Sequence, residues 1–332
     1  MSFRGGTFCA ILANSTEKAG IHPICFVTFS ASKRYIHTHY QTMQLIISKL
    51  NKQYGNGVHA LNDVSLTIPT GMFGLLGPNG AGKSSLMRTL ATLQDVDSGS
   101  VIMGDIDVLK EKEKVRKVLG YLPQEFGVYP RTSAVDLLEY LAVIKGFNNA
   151  AERKEMVLAL LQKVNLYEHR KKSVSSFSGG MRQRFGVAQC LIGSPRLVIV
   201  DEPTAGLDPG ERNRLYNILS EIGENVIVIL STHIVQDVRE LCTNMAIMNN
   251  GRVLFSGSTD DALAEIRGKV WEKRIVKEEL PQYQKNYSVI SNKLVSGKPL
   301  IHVFSEPMLN NGFAPAEENL EDVFFAKLHE LI

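Results

Sequence analysis

Gly77, Gly82, Lys83 and Ser84 satisfy the pattern G-x-x-x-x-G-K-[ST], with Pro78, Asn79, Gly80 and Ala81 between the glycines and Ser85 next in line. Glycines let successive backbone N–H groups turn inward around phosphate oxygens. Lys83 can then reach the β- and γ-phosphates of a nucleotide, and the Ser84 hydroxyl suits Mg2+. Far downstream, Asp201 and Glu202 close the apolar run Leu197, Val198, Ile199, Val200. A carboxylate at the end of such a strand stands beside the loop in a doubly wound sheet, so Asp201 is the expected Mg2+ partner. Glu202, one residue on, points elsewhere and suits a general base for an attacking water.

Other candidates are less specific one by one. Gln124 follows Leu122 and Pro123; its amide can bridge Mg2+ and the attacking water, or it is a solvated loop residue. His233, after Ser231 and Thr232, can orient water and touch the γ-phosphate, or cap the next helix. Tyr54 precedes a glycine turn and can stack on adenine, or is an exposed turn tyrosine. Asp208, before Pro209, reads by itself as a turn aspartate.

The elements that must position these residues follow from apolar periodicity. Strands are expected over 45–51 and 60–68, joined by the turn Tyr54, Gly55, Asn56, Gly57. Pro69, Thr70 and Gly71 break into a short buried strand, 72–76, that feeds the glycine loop, and 84–93 continues as a helix. A further strand ends at Leu122. Residues 132–170 form an all-helical insert: Ser133 and Asp136 have capping-box spacing, and Met156, Val157, Leu160, Leu161 and Val164 mark a second helix. Strands at 197–200, 226–230 and 245–249 alternate with helices, which implies a largely parallel sheet covered on both faces. Beyond about 268, strand-like runs at 287–290 and 300–304 and a terminal helix near 320–331 make a small α+β appendage.

The chain has 332 residues, 44% hydrophobic and 21% charged, ample for a soluble globular core. Its net charge of +3 resides in residues 1–42, where Arg4, Lys18, Lys33 and Arg34 face Glu17 alone; the remainder balances at 33 basic against 33 acidic side chains. The basic pI therefore belongs to the tail and argues for neither nucleic acid nor an anionic membrane surface as partner, and no nucleic acid is expected. Cys9, Cys25, Cys190 and Cys242 show no C-x-x-C spacing and read as free thiols in a reducing compartment. No apolar stretch approaches the roughly 18 residues that span a bilayer. The tail 1–42 has the composition of a presequence. It is expected to be disordered or a start-site artefact, with Met43 the true first residue.

Tyr54, residues 77–84, Gln124, Ser178-Gly179-Gly180, residues 197–202, Gly206-Leu207-Asp208 and His233 occur in the order of the ABC-transporter ATPase family. The set resembles its A-loop, Walker A, Q-loop, signature, Walker B, D-loop and H-loop over roughly 44–260. The resemblance implies an α/β P-loop NTPase: a mostly parallel central sheet, an antiparallel β subdomain, a helical subdomain over about 125–180 and an ATPase domain over 43–266. A C-terminal accessory domain over 267–332 completes the expected layout. It also implies ATP and Mg2+ as cofactors, with Glu202, His233 and Gln124 catalytic, Ser84, Gln124 and Asp201 on the metal, and Tyr54, residues 77–85, Ser178, Gly179, Gly180 and Asp208 on the nucleotide. The family signature reads Leu-Ser-Gly-Gly-Gln; Phe177 and Met181 replace its flanks here. Met181 removes one amide, while the Ser178 hydroxyl and the glycine backbone at a helix start remain for an anion.

In that family ATP lies between the loop of one subunit and the signature of another, so the expected partners are a second ATPase chain, most simply a homodimer, and an integral-membrane permease seated on the helical subdomain. The expected location is the cytoplasmic face of the membrane, peripheral through the permease. Residues 317–325 resemble the ending of ATPases serving ABC-2-type exporters; otherwise they form an amphipathic helix that packs the domain edge. The alternatives in function are an import ATPase and a soluble ABC ATPase without a transport role.

Overall fold

The computed structural model describes residues 43–127 and 131–332. The readings of the tail, including Cys9 and Cys25, lie outside the described residues. In β1 (Gln44–Gln53) Leu45 and Ile47 are buried while Ile46 and Ser48 face outward, and β2 (His59–Pro69) buries Val64, Leu66 and Ile68 in the same alternation. The two pair antiparallel, closed by a loop in which Gly57 adopts φ +84°. β3 (Gly71–Leu76) then delivers the glycine loop to α1 (Lys83–Leu90). β4 (Ser98–Met103) and β5 (Ile106–Asp107) complete an antiparallel sheet of order β2-β1-β4-β5, and α2 (Lys112–Val118) leads into β6 (Leu119–Leu122).

The helical insert contains α3 (Ala134–Ile144) and α4 (Ala150–Lys163), and α5 (Gly179–Cys190) follows it. Ser133 caps α3 by accepting from Asp136 N–H, and its own hydroxyl goes to the Asp136 carboxylate at 2.5 Å. The expected cap is present, with its second arm drawn to the serine side chain. Beyond the insert come β7 (Leu197–Asp201), α6 (Pro209–Gly223), β8 (Ile227–Thr232), α7 (Val235–Leu241), β9 (Asn244–Asn249) and β10 (Arg252–Ser258).

The central sheet has the order β10-β9-β3-β8-β7-β6, with β9, β3, β8, β7 and β6 parallel and β10 antiparallel at the edge. Side chains alternate across a strand, so each strand serves two cores. Phe73, Leu75, Ile199 and Ile229 face α1 and the antiparallel sheet, where Leu86, Met87 and Leu90 meet Leu45, Ile47 and Val101. Met72, Leu76, Val198, Val200, Val228 and Leu230 face the helical insert and α6. Gly74 lets α7 lie close: a Cβ there would stand 2.8 Å from a Val238 methyl.

The chain ends with α8 (Thr259–Ile266), β11 (Val270–Arg274), α9 (Leu280–Asn286), β12 (Ser288–Val295), β13 (Lys298–Phe304), β14 (Ala314–Pro315) and α10 (Leu320–Leu328). Its strands form a third, antiparallel sheet of order β12-β13-β11-β14. Leu320, Val323, Phe324 and Ala326 of α10 pack into the same core as α6 and α7. The buried Asp322 accepts from His302 Nδ1 at 2.8 Å, tying α10 to β13. Among the described residues no helix is long and apolar enough to cross a membrane.

Candidate active site

The carboxyl ends of adjacent parallel strands are where an open α/β sheet binds ligands. β3, β8, β7 and β6 are neighbours, and their carboxyl ends carry the loop 77–82, His233, Asp201 with Glu202, and Gln124. The loop is glycine-rich for steric reasons at two places. A Cβ on Gly77 would run into the Met248 carbonyl, and one on Gly82 into the Ala60 carbonyl, with Gly82 also at φ +102°. Gly82 is the N-cap of α1 and supplies no side-chain cap, so the first-turn N–H groups remain directed at the loop. That is a cradle of donors at a positive helix end, and it fits a polyphosphate.

Lys83 is buried under this loop and donates to Gly77 O at 2.6 Å and Pro78 O at 3.2 Å. Its Nζ stands 4.0 Å from Glu202 Oε1. Burial pushes the ammonium below its usual range, opposed by the charges of Glu202 and Asp201. Glu202 is buried, its N–H donates to Ser231 O at 2.8 Å, and its Oε2 meets His233 Nδ1 at 2.7 Å. Asp201 is buried as well and pairs with Ser231 across β7 and β8. Lys83, Glu202 and His233 therefore form one connected chain of polar contacts. His233 does not cap the following helix, whose N-cap is Ile234 without a side-chain cap.

Tyr54 is half-buried at the loop edge, and its hydroxyl bonds Ser85 Oγ at 3.0 Å and Gln94 Oε1 at 3.1 Å. Ser84 and Gln124 are exposed. Ser84, Asp201 and Gln124 offer hydroxyl, carboxylate and amide oxygens, the hard donor set that Mg2+ takes. Ser178 is the N-cap of α5 and accepts from Met181 N–H at 3.2 Å, with Gly179 exposed beside it. Met181 packs against the core, so its side chain has an apolar use. Asp208 caps α6 by accepting from Glu211 N–H at 2.9 Å, ahead of Pro209 in the first turn.

Three features escaped sequence reasoning. Gln94 anchors Tyr54 and also donates to Ser85 O. Arg184, in the second turn of α5, pairs with Glu211 of α6 at 3.2 Å and donates to Val164 O and Asn165 O. The buried Asp237 of α7 collects the hydroxyls of Thr204, Tyr216 and Thr232. An acid four residues past His233 on an otherwise apolar helix face was the available signal for the last.

A family model described as "ABC transporter" matches residues 61–205. The chain is 33% identical over 221 residues to the linearmycin resistance ATP-binding protein LnrL of Bacillus subtilis, spanning 66% of this chain and 70% of that protein. It is 32% identical over 266 residues to the methionine import ATP-binding protein MetN of Clostridioides difficile, spanning 77% of this chain and 81% of that one. Among solved structures, cbiO1 of Clostridium perfringens, part of the ABC transporter complex cbiONQ, superposes with a TM-score of 0.62 at 27% identity, over 68% of this chain and 92% of that chain.

Proposed function

The chain belongs to the ABC transporter family as an ATP-binding, ATP-hydrolysing subunit, and on that premise we propose that it powers a membrane permease through a site built on Lys83 and Glu202. The observation that carries this reading is the placement of the buried Glu202 between Lys83 at 4.0 Å and His233 at 2.7 Å. Residues 77–85 and the α1 N-terminus hold the phosphates, and Tyr54 supports the adenine. Ser84, Asp201 and Gln124 would hold Mg2+, which when bound neutralises phosphate charge and aligns the γ-phosphoryl group. Glu202 takes the proton of the attacking water, and His233 keeps its carboxylate in place. Asp208, Ser178, Gly179 and Gly180 serve the site across a dimer, most simply a second copy in isologous pairing.

Residues 43–266 are read as the ATPase domain, with its helical subdomain at about 125–180, and 267–332 as an accessory domain. Tyr140, Val143 and Ile144, spaced along one face of α3, are 55%, 44% and 64% exposed and suit a helix of the permease. The subunit then sits at the cytoplasmic face of the membrane through that partner. Likeness to a resistance ATPase and to an import ATPase supports transport without fixing its direction. The export reading, of ABC-2 type, rests on the resemblance of residues 317–325, whose apolar side chains are used in packing.

Glu202→Gln tests the core of the reading. It should keep fluorescent-nucleotide binding while ATP hydrolysis falls by roughly 10²–10⁴, the usual worth of a positioned base. Hydrolysis near the normal rate in that variant would refute Glu202 as the base.

A further inference from the structure

Asp237 is fully buried, and its two oxygens face two different tasks. Oδ2 accepts from Thr204 Oγ1 at 2.5 Å and from Thr232 Oγ1 at 3.0 Å; Oδ1 accepts from Tyr216 OH at 2.5 Å. Thr204 stands two residues past Glu202, and Thr232 immediately precedes His233. Thr232 Oγ1 in turn accepts from Ile234 N–H at 2.9 Å, fixing the chain on the far side of His233. One carboxylate oxygen therefore grips both backbone segments whose side chains meet at 2.7 Å between His233 Nδ1 and Glu202 Oε2. The other oxygen grips α6, away from that contact.

A buried carboxylate that receives three hydroxyl donors is satisfied without a counter-charge and fixes each donor in direction. The two segments it clamps lie at the carboxyl ends of different strands, β7 and β8, and Glu202, on the first of them, adopts a strained backbone conformation at φ +50°. Such a conformation persists where surrounding contacts over-determine it. We propose that Asp237 is a positioning residue for hydrolysis: through Oδ2 it sets the spacing of Glu202 and His233, and through Oδ1 it only braces α6. The proposal rests on the reading of Glu202 as the base.

The asymmetry between the oxygens gives the test, made on the full chain by steady-state ATP hydrolysis and thermal melting. Thr204→Val and Thr232→Val each remove an Oδ2 donor at nearly constant volume. Each should lower kcat by about tenfold to a hundredfold, the scale of misplacing a catalytic group by about 1 Å, with KM for ATP within about twofold. Thr→Ser at either position should restore kcat. Tyr216→Phe removes the Oδ1 donor and should lower the melting temperature while leaving kcat intact. Normal kcat in both valine variants, or an equal loss of kcat in Tyr216→Phe, overturns the proposal. Glu202→Gln assayed in parallel separates the two readings. If it hydrolyses ATP normally, the base assignment fails and this proposal with it; if it is inactive while the valine variants are normal, only the role of Asp237 fails.

Discussion

Glu202 occupies the left-handed backbone region at φ +50° although it carries a side chain, a conformation that costs on the order of 1–3 kcal/mol. Its N–H bond to Ser231 O, its contact with His233 and its proximity to Lys83 hold it there. His233→Ala should therefore free the carboxylate without touching the phosphate cradle. Hydrolysis should drop by roughly 10²-fold, the low end of the range for losing an acid–base contribution, with nucleotide affinity in a filter-binding assay unchanged. Gly82→Ala should do the reverse, because its Cβ collides with Ala60 O and its φ of +102° disfavours alanine. Nucleotide binding should be lost in that variant, a result read directly by the same assay. Lys83, Asp201, Glu202 and His233 were legible in the sequence because each follows a short apolar strand and has a residue type matched to phosphate or water. Asp237 was not, since its donors lie 33, 21 and 5 residues away and meet it only after β7, β8, α6 and α7 have packed.

Among the elements, α5, capped by Ser178, and α6, capped by Asp208, are joined by the Arg184–Glu211 pair. Glu211, in the first turn of α6, receives Arg184 and Arg214 and lies where a Cβ on Gly180 would strike it. The glycine at 180 thus has a packing reason in addition to its place at a helix start. Gly180→Ala should destabilise by about 1–3 kcal/mol through overpacking, and Asp208→Ala by about 1 kcal/mol through loss of the α6 cap. Denaturant unfolding measures both, and an unchanged midpoint in Gly180→Ala would contradict the wedge. The parallel strands were readable from sequence because continuous apolar runs announce strands covered on both faces. β4, β5 and β10 were not, because they lie half-exposed and carry no clean alternation. The Arg184–Glu211 pair was invisible for a different reason: a buried ion pair across two helices depends on their packing angle, which local spacing does not encode.

At the scale of the whole molecule, α10 packs its apolar face into the same hydrophobic core as α6 and α7. Burying Val323 or Phe324 is worth about 1.5–3 kcal/mol each, so Val323→Asp should lower the melting temperature sharply, whereas Leu294→Ser on the exposed tip of β12 should not. The sequence disclosed an amphipathic end to the chain, yet the surface that α10 would cover could not be read before β9 and α7 were in place. Core thiols give another whole-molecule check. Burial pushes the Cys190 thiol up to about 12 and raises Cys242 in the same sense, so both should resist alkylation in the folded protein and react on unfolding, as read by peptide mass spectrometry. If Lys83 of one copy and Ser178 of another enclose the same ATP, light scattering of Glu202→Gln in Mg-ATP will show it. The expected result is a species of twice the monomer mass that vanishes when Ser178→Arg is added to the same chain, with nucleotide still bound. A dimer that survives Ser178→Arg, or a Glu202→Gln protein that stays monomeric in Mg-ATP, would contradict it.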